Sequence, residues 1–158
     1  MKNCKKIFIM TILVCFLNSC TGYTPIFSEK NINFKIEKIE KKGDQKIGNF
    51  LVENLNINQS NADNIEKISL SIYTTKNKTS VIKDKSGKIV SYKLQINIRA
   101  IVKIISSNKI IVNENFKGTS NFDNKNQTYE TIKLENKITK DLVKKLTTDL
   151  ILRINQSL

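Results

Sequence analysis

The chain has 158 residues, a formal charge of +13, three cysteines, and neither histidine nor tryptophan. That length allows one domain with a real core and not two, and the missing histidine removes imidazole as a general base or metal ligand. No Gly-x-Ser-x-Gly elbow, phosphate-binding loop or Cys/His metal spacing occurs, so enzyme chemistry, metal and cofactor all lack their usual marks and none is expected.

The first elements in chain order are a charged start at Lys2, Lys5 and Lys6, an apolar run from Ile7 to Leu17, and small Ser19 just before Cys20. A spanning helix needs about 20 apolar residues, and this run is little more than half of that. The layout is that of a lipoprotein export signal over residues 1–19, with Cys20 as the first mature residue carrying acyl chains on its sulfur and amine. One acyl chain binds a bilayer only marginally, whereas three anchor it durably. The position after Thr21 is Gly22 and not aspartate, which by resemblance to the sorting rules of Gram-negative lipoproteins favours release to the outer membrane. Cys4 and Cys15 leave with the signal and Cys20 is consumed by lipid, so no disulfide is expected.

Removing the signal leaves 139 residues with 24 basic and 14 acidic side chains. Such a surplus attracts anions. An exported, tethered protein meets anionic head groups and phosphorylated glycolipid, and no nucleic acid. The bias of the chain towards Asn, Lys and Ile accounts for the surplus equally well.

Residues 20–31, with the lone Pro25, read as an extended tether, and residues 32–158 as a single domain. Ile32, Phe34 and Ile36 alternate with polar residues, predicting a strand to about Ile39 that Lys41-Lys42-Gly43 breaks. Asp44 is placed to cap a helix carrying Ile47, Phe50, Leu51 and Leu55 at helical spacing. Gly48 inside it costs about 1 kcal/mol against alanine, which suggests a close approach to the sheet. Ile68, Leu70 and Ile72 give a second strand. Thr75 to Lys88 is polar, with turn chemistry at Asp84-Lys85-Ser86-Gly87.

The strongest alternation follows. Val90, Tyr92, Leu94, Ile96, Ile98, Ala100, Val102 and Ile104 point one way, while Ser91, Lys93, Gln95, Asn97, Arg99 and Lys103 point the other. One buried and one wet face predict an antiparallel sheet covered on a single side. A short link leads to a partner strand from Ile110 towards Gly118, implying a hairpin. A long helix, roughly 129–155, then presents Ile138, Leu142, Leu146, Leu150 and Ile154, flanked by Val143 and Ile151, as one apolar stripe. Lys133, Lys137, Lys140 and Lys144 lie away from it and read as a solvated face. The fold class is α+β: a two-layer sandwich, β-α-β-β-β-α, with an antiparallel-rich four-stranded sheet and both helices on one face.

The lipid-site cysteine, the run Gly22-Tyr23-Thr24-Pro25-Ile26-Phe27 and this order of elements resemble the LptE family of lipopolysaccharide-assembly lipoproteins. Thr21, inserted between Cys20 and Gly22, departs from the family pattern. Ile36 to Leu55, passing through Gly43-Asp44-Gln45 into a helix, is also similar. The resemblance implies a non-enzymatic outer-membrane lipoprotein on the periplasmic face, the plug and assembly partner of an LptD-like β-barrel, assisting lipopolysaccharide insertion. Lys83, Lys85, Lys88, Lys93, Arg99 and Lys103, chosen for charge and expected exposure, are the candidate lipopolysaccharide-binding residues. A periplasmic auxiliary lipoprotein of an ABC-type lipid transporter would share the anchor and the small domain.

Overall fold

The computed structural model describes residues 34–57 and 65–158. The export signal, Cys20, the tether and its Gly22 to Phe27 motif lie outside the described residues. Within them the order is β1 (Phe34–Gly43), α1 (Gln45–Ile57), β2 (Glu66–Lys83), β3 (Ile89–Ile104), β4 (Ile110–Asp123) and α2 (Thr128–Ser157). This is the strand-helix-three strands-helix order that the periodicities predict.

The four strands form one sheet in sequence order, with β2, β3 and β4 antiparallel and β1 parallel to β2. A parallel neighbour requires a crossover, and α1 supplies it. Both helices cover the same face. On that face Ile68, Leu70, Ile72, Ile96, Ile98, Ala100 and Val102 meet Ile47, Leu51 and Leu55 of α1 and Val143, Leu146, Leu150 and Ile154 of α2 in one core. The buried side of α2 also holds Thr139 and Thr147, which the apolar stripe does not predict. Their hydroxyls donate to the carbonyls of Glu135 and Val143 at 2.7 and 2.8 Å, so burial leaves no polar group unsatisfied.

Asp44 caps α1 as expected, its Oδ1 accepting from the Ile47 amide at 3.1 Å. The corner before it is tight. Gly43 has φ +91, and a Cβ there would lie 2.1 Å from the Thr74 carbonyl oxygen, so only glycine fits. Thr74, itself buried, donates its hydroxyl to the Asp44 carbonyl at 2.9 Å and locks the same corner. The close approach expected at Gly48 is absent: a Cβ there meets only the Lys41 side chain, at 3.6 Å or more. Helix-to-sheet closeness belongs to Gly118, where a Cβ would sit 3.2 Å from Leu142 and 3.3 Å from Leu146.

Three strands outrun their predicted ends. β1 continues through Lys41 and Lys42 to Gly43 because both lysines pair with β2, in register with Ile72 and Tyr73. β2 continues from Thr75 to Lys83 and β4 passes Gly118 to reach Asp123, each following the ladder offered by β3. Partner hydrogen bonds here override the loss of apolar alternation, since strand preference depends on context. The first residues of β3 depart from the expected burial, although Ser91 keeps the face of Lys93 in its pairing with β4. Ser91 is buried and donates its hydroxyl to the Phe122 carbonyl at 3.2 Å, while Val90 is exposed. Register shifts at Ser80/Ile82 and Ile82/Lys83 make the pairing with β2 irregular there and leave Val90 without a partner on that strand.

Candidate functional site

Among the described residues no element covers the sheet face away from the helices, here the open face, and its character follows from the period of two. β3 turns Lys93, Gln95, Asn97, Arg99 and Lys103 to it, with Ile101 among them, and β2 adds Ser71, Tyr73, Thr75, Asn77 and Thr79 in register. A bulge at Glu37/Lys38 resets the alternation of β1, so that Ile39 and Lys41 fall on the helix side and Glu40 and Lys42 on the open side. Lys41 confirms the helix side by donating to Asn49 Oδ1 of α1 at 2.8 Å.

The acids of the open face are already engaged. Glu37 pairs with Lys67 at 2.6 Å and Glu40 with Lys38 at 3.2 Å. The hydrogen bond from Lys38, then its charge, holds the Glu40 carboxyl below its ordinary value, and the bond to Glu37 raises the Lys67 ammonium. Among the described residues Lys93, Arg99, Lys103 and Lys117 make no salt bridge to a carboxylate, while the Lys42 charge acts on Glu40. A face with its acids neutralised and its cations unpaired attracts anions.

The six candidate cations fall into two groups. Lys93, Arg99 and Lys103 lie on the open face as a row, Lys93 and Arg99 exposed and Lys103 half-buried. Ten residues of strand separate the outer two, roughly 33 Å, so they form a track and not a single pocket. Lys83, Lys85 and Lys88 are exposed at the β2–β3 turn, apart from that track.

Arg99 is the best placed of the row. It borders a depression of roughly 480 Å³ with Glu40, Lys42, Ser71, Ile72, Tyr73 and Ile101. Tyr73 supplies an exposed aromatic face, and Lys42 and Arg99 supply a point charge and a planar fork for an anion. Reading Lys41-Lys42-Gly43 as a strand break hides Lys42, and Tyr73 counts there only as the polar side of a strand. Noticing that Ile39 succeeds Ile36 after three residues and not two would locate the bulge and bring Lys42 beside Tyr73.

Lysines on the helix-covered face behave differently. Lys76 and Lys78 grip Glu135 of α2 at 2.5 and 2.8 Å, and Lys78 also lies 4.2 Å from the Tyr92 ring centre. Burial alone would raise the Glu135 carboxyl, but the two ammonium groups outweigh it and the net shift is downward. Lys133, Lys137, Lys140 and Lys144 are exposed as expected, with Lys140 over the Phe50 ring at 5.2 Å.

Among the described residues no helix is long and apolar enough to cross a membrane. No protein-family model and no curated protein matches the chain. Solved structures do resemble it. Rare lipoprotein B from Shewanella oneidensis superposes with a TM-score of 0.55 at 12% identity, over 77% of this chain and 95% of that one. A minor lipoprotein from Acinetobacter baumannii gives 0.54 at 14% identity, over 76% and 91%. Lipoprotein B from Nitrosomonas europaea gives 0.53 at 13% identity, over 83% and 88%. The α+β sandwich, with its parallel first strand and long last helix, is therefore a fold that this chain shares with bacterial lipoproteins of the rare lipoprotein B type.

Proposed function

We propose that the protein is an outer-membrane lipoprotein, anchored through Cys20 at the periplasmic face, that assists lipopolysaccharide assembly as the plug and partner of an LptD-like β-barrel. The observation that carries this reading is the open sheet face, where Lys93, Arg99 and Lys103 stand unpaired while the neighbouring acids are engaged. Phosphates of a glycolipid fit a track of cations spread along a strand better than a single enclosed site would. The export-signal layout of residues 1–20 and the fold shared with lipoproteins support the same reading.

The role is binding and positioning. Arg99 offers a bidentate fork, Lys42, Lys93 and Lys103 act as point charges, and Tyr73 gives an apolar wall for a sugar ring. Lys83, Lys85 and Lys88 add positive charge at the turn.

Purification of the native protein from detergent-solubilised membranes tests the assignment. Co-recovery of a large β-barrel protein, and a barrel left misassembled when this protein is depleted, are the expected results. Recovery of an inner-membrane transporter without the barrel would instead identify an auxiliary transport lipoprotein. For the face itself, the triple substitution Lys93→Glu, Arg99→Glu and Lys103→Glu lowers lipopolysaccharide affinity at low salt. Unchanged binding would remove the open face from the site.

A further inference from the structure

Of the large apolar side chains exposed among the described residues, five gather at one end of the molecule. They are Val81 and Ile82 near the end of β2, Val90 at the start of β3, and Tyr129 and Ile132 in the first turns of α2. Hydrogen bonds bring these segments together. Asn124 donates its amide to the Val90 carbonyl at 2.8 Å and its side chain to the Ile89 carbonyl at 2.9 Å. Thr131 of α2 in turn donates to Asn124 Oδ1 at 3.2 Å. The start of the helix is thus stitched to the base of the β2–β3 turn, and Tyr129 and Ile132, three apart, share one side of it.

The turn itself carries Lys83, Lys85 and Lys88 around a single acid. Asp84 spends its Oδ1 on the turn, accepting from the Ser86 amide at 2.9 Å, the Ser86 hydroxyl at 2.6 Å and the Lys88 amide at 3.0 Å. Among the described residues it forms no salt bridge with Lys83, Lys85 or Lys88, although the Lys88 charge acts on its carboxyl. Aliphatic and aromatic side chains interleaved with unpaired lysines fit the boundary between head groups and acyl chains of an anionic bilayer, where apolar area and charge both contribute. Tyrosine suits that depth because its ring is apolar and its hydroxyl wet.

We propose that this end of the molecule is a contact site for an anionic phospholipid surface. Val81, Ile82, Val90, Tyr129 and Ile132 enter the boundary, while Lys83, Lys85 and Lys88 lie among the phosphates. The site is far from where the domain begins. Phe34 opens β1 in register with Glu66, at the other end of β2, and the 18 residues of that strand span roughly 55 Å. A contact here holds the end of the domain remote from its N-terminal strand. It requires neither lipopolysaccharide nor a barrel.

The absence of tryptophan from the chain makes a direct test possible. Ile82→Trp and Val90→Trp each place a single reporter at the proposed contact, and Ile110→Trp places one at an exposed position at the opposite end. Each full-length variant is mixed with vesicles of phosphatidylcholine, with or without phosphatidylglycerol and free of lipopolysaccharide. With phosphatidylglycerol present, emission from Ile82→Trp and Val90→Trp shifts to the blue and is quenched by brominated acyl chains, while Ile110→Trp stays unchanged. Adding Lys83→Glu, Lys85→Glu and Lys88→Glu to Ile82→Trp moves the equilibrium for contact of this end with the bilayer on the order of a hundredfold toward solvent and removes the blue shift, whether or not Cys20 keeps the chain on the vesicle. No shift at either reporter, an equal shift at Ile110→Trp, or a shift that survives the charge reversal would each overturn the proposal. Because these vesicles contain no lipopolysaccharide, such a failure leaves the open-face reading standing.

Discussion

The two faces of β3 carry the same backbone to opposite ends. Leu94, Ile96, Ile98, Ala100 and Val102 are at most 1% exposed under the helices, whereas Lys93 and Arg99 on the other face lie in solvent. One face is spent on holding the fold. The other is covered by neither helix. The same residue type therefore does different work on each side: Lys76 and Lys78 bolt α2 to the sheet through Glu135, while among the described residues Lys93 and Lys103 make no salt bridge to a carboxylate.

That division can be broken most severely on the covered side. Leu150→Ala removes a fully buried side chain at the centre of the core and costs about 2–5 kcal/mol, read as a lower denaturation midpoint. Gly43→Ala comes next. A methyl group driven into the Thr74 carbonyl, at a φ that alanine resists, costs roughly 2–4 kcal/mol and separates β1 from β2.

A smaller effect belongs to the polar bolt. Glu135→Gln costs about 1–2 kcal/mol at neutral pH. The Glu135 carboxyl sits below its ordinary value of 4.5 in the folded chain, so its contribution is complete above that value and is lost as pH falls through the folded-state value. The stability gap between the parent and Glu135→Gln accordingly narrows below about pH 4.5, as denaturant titrations at several pH values would register. Least of all should the open face matter to folding. Lys93→Glu, Arg99→Glu and Lys103→Glu each change stability by less than about 0.5 kcal/mol, even as the triple variant loses anion affinity. A large drop in thermal midpoint in that variant would mean that the open face also supports the fold.

How much of this was legible in the residues depends on what set each feature. The covered row from Leu94 to Val102 and the stripe of α2 are periodic and were readable, as were the helix cap at Asp44 and the hairpin between β3 and β4. The later halves of β2 and β4 were not, because Thr75 to Lys83 and Thr119 to Asp123 owe their strand conformation to a neighbour and not to their own pattern. Lys93, Arg99 and Lys103 could be assigned to the wet face from β3 alone. The depression beside Arg99 could not, since it needs Lys42 from a strand that reaches β2 only through a helical crossover and a bulge.

That crossover also sets the order in which the sheet comes together and apart. β2, β3 and β4 are joined by short turns, so their pairing closes small loops early, whereas β1 must wait until α1 has folded back across the chain. β1 and β4 each have a single paired neighbour, but only β1 is held through a crossover, so its amides exchange with solvent first and the seam beside β2 is where the domain begins to open. A protein suspended from its N-terminus would thus carry its load on its latest-formed and most detachable strand.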